Sequence, residues 1–247
     1  GFGSSIAIEG STMYVGAPYS DGWAGSIHLI DLQTRLFAGQ ILSDDTISAG
    51  SALFGTSLAI DDGVLVIGSR LFSGCNGAFA STAYFYDTST GIQTQAHGGD
   101  CYGDTGFADS VFVAGSIAAI SETLYSSSPG VVHLYHTQAP EIVHSFEAPV
   151  SDTETWFGDA MIVHNGMMII GAPRIDSGAS DSGEIYAFGL VLPCGPADMN
   201  TDGALDFFDV SRFVNRWGYP ETDLNGDLTW DFFDVSTFID LFNAGCP

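Results

Sequence analysis

Two stretches of the 247-residue chain space their acidic residues in one pattern. Asp198–Asp209 reads DMNTDGALDFFD, and Asp223–Asp234, 25 residues on, reads DLNGDLTWDFFD. Counted from the first Asp of each stretch, oxygen-bearing groups fall at positions 1, 3, 5, 7, 9 and 12. In the first stretch these are Asp198, Asn200, Asp202, the Ala204 carbonyl, Asp206 and Asp209, with Gly203 at the tight sixth position. In the second they are Asp223, Asn225, Asp227, the Thr229 carbonyl, Asp231 and Asp234. A short loop can turn alternate side chains inward, and a hard cation of calcium's size takes about six to eight oxygens. The pattern therefore reads as two loops, each holding one Ca2+ ion. Carboxylates crowded together repel one another without the ion, so ordering of each loop is coupled to binding. Leu228 stands at the sixth position of the second loop. A non-glycine residue in a left-handed turn costs roughly 1 kcal/mol or more, so the second site is expected to be weaker or differently turned. The alternative is a pair of acidic turns that hold no metal.

Each loop must be positioned by the segment on its C-terminal side. FFDVSRFVNRW and FFDVSTFIDLF carry apolar residues at helical spacing: Val210, Phe213, Val214 and Trp217, then Val235, Phe238, Ile239 and Phe242. The sequence predicts a helix after each loop and no helix before it. Loop–helix, loop–helix, with Asp instead of Glu at the twelfth position, resembles a type I dockerin over about residues 196–247. The resemblance implies a small α-helical domain of two EF-hand-type loop–helix units, two Ca2+ ions and a cohesin-like receptor as partner. It also implies that Phe207, Phe208, Phe232 and Phe233, at loop positions 10 and 11, contribute to recognition. One Phe of each pair is expected to pack into the small core and the other to meet the partner. Two similar units imply a pseudo-two-fold module able to dock in two orientations.

Gly is frequent in the chain, aromatic residues are plentiful, and lysine is absent altogether. Such a mixture favours many short strands and turns. The formal net charge is −25, from 30 acids against 5 arginines. That balance argues against nucleic acid and against anionic membrane surfaces as partners. It suits a secreted or cell-surface protein in calcium-rich surroundings. No run of about 18 uninterrupted apolar residues occurs, so no membrane span is expected. The chain opens on GFGSS inside a repeat and shows no signal peptide, as a mature or trimmed product would. Four cysteines in Gly-rich or module-flanking settings fit two disulfides. We pair Cys194 with Cys246, at the two ends of the C-terminal module, and Cys75 with Cys101. Three pairings are formally open, and free thiols are the alternative.

Residues 1–190 repeat. FGSSIAIEGSTMYVGAP starts at Phe2, FGTSLAIDDGVLVIGSR at Phe54, FADSVFVAGSIAAISET at Phe107 and FGDAMIVHNGMMIIGAP at Phe157. A second landmark follows each copy: GSIHLID, STAYFYD, VVHLYH and EIYAFG. A looser strand-like run then follows the first three: RLFAGQIL, GIQTQAH and EIVHSFEA. Each unit reads as four antiparallel strands, with MYVGAP, VLVIGS and MMIIGAP expected to be buried on both faces. Four strands per unit of this length is the pattern of a propeller blade.

FG…VGAP at Phe2–Pro18 and FG…IGAP at Phe157–Pro173 resemble FG-GAP repeats. The resemblance implies a secreted or cell-surface β-propeller. The second copy reads GSR for GAP, and the third has FA and SET. No DxNxDG loop precedes the GAP segments, so calcium is not assigned to the blades. The expected organisation is a mainly β propeller over residues 1–193, with blades near 1–48, 52–98, 105–149 and 155–192, then the dockerin-like module at 194–247. The fourth unit lacks a clear last strand. Blades are then missing upstream, or a small ring closes alone, or a neighbouring molecule completes it by strand addition.

No catalytic constellation emerges from the sequence. His28 and His133 fall where the other copies have Tyr84 and Tyr186, which marks an architectural position, and His136 aligns with Asp31 and Asp87. Asp44–Asp45 and Asp61–Asp62 read as turn formers. The expectation is a secreted, non-catalytic calcium-binding protein of extracellular assembly or adhesion. Its partner is a cohesin-like receptor or further copies of itself in a fibre or ring. Surface glycans are a further candidate partner. A non-catalytic part of a larger secreted carbohydrate-active or other enzyme is the remaining alternative.

Overall fold

The structure is a computed structural model. It describes residues 1–43, 52–70, 81–97, 106–123, 129–137, 140–150, 155–164, 167–176, 181–189, 196–199, 204–219, 222–227 and 229–245. The chain divides into two compact units, Gly1–Phe188 and Gly189–Pro247.

The first unit is four antiparallel sheets in chain order. Sheet 1 is β1 (Ile6–Glu9), β2 (Thr12–Gly16), β3 (Ile27–Asp31) and β4 (Leu36–Ile41). Sheet 2 is β5 (Phe54–Asp61), β6 (Val64–Ser69), β7 (Thr82–Asp87) and β8 (Gln93–His97). Sheet 3 is β9 (Phe107–Ala114), β10 (Ile117–Glu122), β11 (Val131–His136) and β12 (Ile142–Glu147). Sheet 4 has three strands among the described residues, β13 (Ala160–His164), β14 (Met167–Ala172) and β15 (Glu184–Gly189). Each sheet is a meander, so each strand pairs with the next in sequence. The same repeat positions pair in all four: Ile6 with Val15, Leu58 with Ile67, Val111 with Ile120, Met161 with Ile170. Two-residue turns join the first two strands, and Asp62 and Gly63 take φ of 47° and 75°, the left-handed values that match strand twist.

Side chains alternate between two faces of a strand, and the sheets use both. The face of sheet 2 carrying Phe54, Leu65, Ile67 and Tyr84 packs on Tyr14, Ile27 and Ile41 of sheet 1. The opposite face of sheet 2, with Val66, Ala83 and Phe85, packs on Phe107, Val113, Ala118, Ile120 and Tyr135 of sheet 3. Phe146 of sheet 3 meets Phe188 of sheet 4, ring centroids 4.8 Å apart. We call the face turned toward the preceding sheet the leading face and the other the trailing face. Each junction joins a trailing face to the next leading face.

Glycines sit where backbones meet at these junctions. A Cβ on Gly16 would lie 2.2 Å from the Gly55 carbonyl oxygen, and one on Gly68 2.3 Å from that of Ala108. At the third junction Ser121 carries the side chain and Gly158 has none, and a Cβ there would stand 2.9 Å from that of Ser121. This accounts for the degenerate third copy. Its Ala108 faces a glycine, and so does its Ser121. Ser5 and Ser57 reinforce the first two junctions by donating to the carbonyls of Gly55 (2.8 Å) and Ala108 (2.7 Å).

The fourth copy departs from the sequence expectation of strands buried on both faces. β6 is so buried and β2 is from Tyr14 onward, but β14 alternates, with Met168, Ile170 and Ala172 buried and Met167 exposed. Among the described residues sheet 4 has a neighbour on its leading face only, so an apolar run there is covered on one side.

The second unit contains α1 (Phe207–Asn215) and α2 (Phe232–Ala244). Ala197, Met199, Phe213 and Phe238 form its core. Phe213 and Phe238, equivalent in the two loop–helix repeats, stack with centroids 4.3 Å apart and planes at 15°. Met199 and Leu224 occupy the second position of each loop and both join this core, Met199 buried and Leu224 partly so.

Candidate metal centres

The helices begin inside the acidic loops. Asp206 caps α1: its carboxylate accepts the Phe208 N–H at 2.7 Å, while Asp209 accepts the Asp206 N–H at 2.9 Å. Asp231 and Asp234 repeat the arrangement on α2, at 2.8 and 2.9 Å. Loop positions 9 and 12 thus form a reciprocal capping box, which satisfies helix N–H groups that have no partner within the helix. Asp209 and Asp234 are fully buried, and Asp198 is nearly so.

Loop two is the more completely described. Asp234 also accepts the Leu224 N–H (3.0 Å) and the Asn225 N–H (3.4 Å). The Asp227 N–H donates to Asn225 Oδ1 (3.0 Å) and Asp223 Oδ1 (3.2 Å), and the Thr229 N–H donates to Asp227 Oδ1 (2.8 Å). Asp223, Asn225, Asp227, Thr229, Asp231 and Asp234 therefore belong to one closed loop whose side-chain oxygens hold its backbone turns. In loop one, Asp198, Ala204, Asp206 and Asp209 are described; Asn200, Asp202 and Gly203 lie outside the described residues, as does Leu228 of loop two. Among the described residues no three His, Cys, Asp or Glu side chains converge as a metal cluster. The donor set is nonetheless all oxygen, with buried carboxylates where each loop enters its helix, and such donors suit a hard cation. The cysteines expected to pair, Cys75, Cys101, Cys194 and Cys246, all lie outside the described residues.

The expectation that one Phe of each pair is buried does not hold. Phe207, Phe208, Phe232 and Phe233 are 75, 65, 74 and 64% exposed. The core-facing stripe of α1 runs through Asp209 and Phe213, one helical turn apart. Phe207 and Phe208 precede Asp209 by two and one residues, so at about 100° per residue both point away from that stripe. The same holds for Phe232 and Phe233 around Asp234 and Phe238. A cleft of about 670 Å³ runs between the helices, lined by Phe213, Val214, Trp217, Phe238, Ile239 and Phe242 among others, and none of the four rings lines it. Val214 and Ile239 are exposed there, although their spacing reads as core.

One cluster escaped the sequence reading. His133 Nε2 lies 3.3 Å from Glu122 Oε2, and His133 Nδ1 lies 2.8 Å from Ser145 Oγ. Glu122 is buried, and its Oε1 has no hydrogen-bond partner among the described residues. Burial and the Glu122 charge push the nearby Tyr135 hydroxyl up to about 12. Acid, imidazole and hydroxyl in line is the order of a nucleophilic triad. Here the three occupy adjacent strands of one sheet, with the His133–Ser145 backbone held in the β11–β12 ladder. His133 stands between Glu122 on β10 and Ser145 on the edge strand β12. The cluster is a polar tie across sheet 3. The signal was present in the sequence: Glu122 is the only charged residue at its repeat position, where the other copies have Ala17, Ser69 and Ala172. His28 is also architectural. It donates to or accepts from Ser26 Oγ at 3.2 Å and packs edge-on against Phe2, with centroids 5.2 Å apart.

Compared with models of known protein families the chain matches none, and it matches no curated protein sequence. What stands is a mainly β chain of four antiparallel, blade-like sheets followed by two short helices.

Proposed function

We propose that the chain is a secreted, non-catalytic protein of extracellular assembly, in which a dockerin-like module orders around two Ca2+ ions and docks a cohesin-like receptor. The FG-GAP-type sheets are its propeller-like body. The observation that carries this reading is the placement of four exposed phenylalanines directly beside the buried, loop-closing carboxylates Asp209 and Asp234. A helical unit this small has little reason to leave four large rings in water, and contiguous apolar surface rimmed by polar groups marks a contact site. The oxygen donors of each loop would hold the ion. When bound, the ion neutralises carboxylates that otherwise repel, and so fixes the helix starts that carry the rings.

The test is calorimetric titration of Ca2+ into the metal-free chain, followed by capture on an immobilised cohesin domain. Two calcium equivalents and calcium-dependent capture are expected. Asp198→Ala with Asp223→Ala removes both, whereas replacing the four phenylalanines by Ala removes capture and leaves calcium binding intact. Absence of calcium binding by the intact chain, or capture unchanged in the phenylalanine variant, overturns the reading.

A further inference from the structure

Among the described residues the four sheets use one kind of junction three times and leave exposed apolar side chains on both of its halves at their ends. Phe54, Phe107 and Phe157, the first residues of copies two to four, are 0, 1 and 0% exposed, each covered by the preceding sheet. Phe54 is held in place by its N–H, which donates to Ala24 at 3.1 Å, and Phe157 by its N–H to Pro129 at 3.2 Å. Phe2 occupies the same repeat position and is 65% exposed. Ile6 and Ile8, equivalent to Leu58 and Ile60, are exposed beside it. At the other end, Ile162, Met167 and Ile185 stand at the positions of Ala59, Val64 and Ala83, which cover sheet 3. Ile185 is 76% exposed.

The glycines give a second, independent indication. Gly3 is the counterpart of Gly55 and Gly158, and Gly171 that of Gly16 and Gly68. At the internal junctions an added Cβ would strike the neighbouring sheet, yet no described atom lies within 4 Å of one on Gly3. One on Gly171 would meet only Ala160 of its own sheet, at 3.5 Å. Both ends thus keep room for a backbone that the described residues do not supply. Beside Gly171 a cleft of about 620 Å³ is lined by Ala172, Pro173, Gly183 and Ile185. Gly183 is the counterpart of Gly25, against which Phe54 is seated, since a Cβ on Gly25 would lie 2.3 Å from the Phe54 carbonyl oxygen.

We propose that the trailing face of sheet 4 receives the leading face of sheet 1 of a second copy, with Phe2 of that copy seated beside Gly183 and its Gly3 against Gly171. The contact joins two different faces of the molecule, so it either propagates or closes. Two copies contribute eight sheets, and rings of about four to eight such sheets close. The product is a dimer with two identical junctions. The receiving cleft on sheet 4 also carries Asp159 and Glu184, whereas the positions of sheet 1 that would meet it, Phe2, Gly3, Ile6 and Ile8, carry no acid, so no like charges are brought together there. The proposed junction differs from the first two in one respect. Ala160 stands where Ser5 and Ser57 donate across the first two, so that side-chain hydrogen bond is missing from it.

This assembly is independent of calcium, which separates it from docking through the helical unit. Sedimentation of the 247-residue chain in chelator should give a species of twice the 26.0 kDa chain mass. Asp198→Ala with Asp223→Ala should leave it unchanged. Gly171→Val, whose Cβ has room within its own chain, and Ile185→Glu should each give a folded monomer. Burying a charge in an apolar junction weakens association by about a hundredfold or more. Ile6→Glu should do the same from the other side. A mixture of Ile185→Glu and Ile6→Glu should recover a two-copy species through the one junction still intact in it. A monomeric parent chain overturns the proposal. So do a parent assembly larger than two copies, dimers persisting in both Glu variants, and a mixture that stays monomeric.

Discussion

Glu122 is buried, and His133 is its hydrogen-bond partner. Removing one member of a buried polar pair strands the other and costs about 1–3 kcal/mol, more for a charged group, while replacing both by packed groups is often neutral. His133→Tyr, the residue found in sheets 2 and 4, is therefore expected to destabilise the first unit by about that amount. Adding Glu122→Ala, as in the first and fourth copies, should restore most of it. Denaturant unfolding of the two variants checks this, and equal instability in both would show that the pair is not coupled. Asp31 and Asp87 act at the surface instead. The Thr34 and Gln33 N–H groups hold the Asp31 carboxyl below its ordinary value of 3.8, as Ser89 and Thr90 do for Asp87. A depressed carboxyl contributes stability that is present above the unfolded value and is lost as pH falls through the folded one. Asp31→Ala with Asp87→Ala should thus lower stability at neutral pH and flatten its loss below about pH 4. Unfolding curves at about pH 6 and about pH 3 would show the difference narrowing.

At the scale of elements, the helices depend on carboxylates that the sequence reads as ligands. Asp206→Ala or Asp231→Ala should cost about 1 kcal/mol even in chelator, because each removes an N-cap. A larger loss when calcium is present would measure the ligand role separately. Circular dichroism melts with and without calcium make the comparison. Much of this level was legible beforehand. The repeat spacing locates the strands of all four sheets, because alternation and turn glycines are local signals. The helices follow from the spacing of Phe213, Phe238 and Phe242, although α1 ends at Asn215, short of Trp217. The exposure of Phe207 and Phe208 was not legible, since it depends on which helical stripe meets the core. Nor was the open side of β14, because MMIIGA is apolar on both faces whether or not a sheet covers the second. The Glu122–His133 pair is invisible to periodicity, for it forms across a strand pair and not along one.

At the scale of the molecule, the junction glycines limit which sheets can stand next to one another. Sheet 2 presents Gly68 to Ala108, and sheet 3 presents Ser121 to Gly158. A chain in which the third repeat was duplicated in tandem would bring Ser121 against a second Ala108, two side chains where each existing junction admits at most one. Gly68→Val tests the same limit directly. Its Cβ would fall 2.3 Å from backbone, and unfolding of the sheets is expected, whereas Gly171→Val is tolerated in the isolated chain. By this rule each of the four repeats can follow any other, and only the third cannot follow itself. Unequal recombination, which similar sequences invite, therefore produces an array that cannot stack when it duplicates the third repeat in tandem.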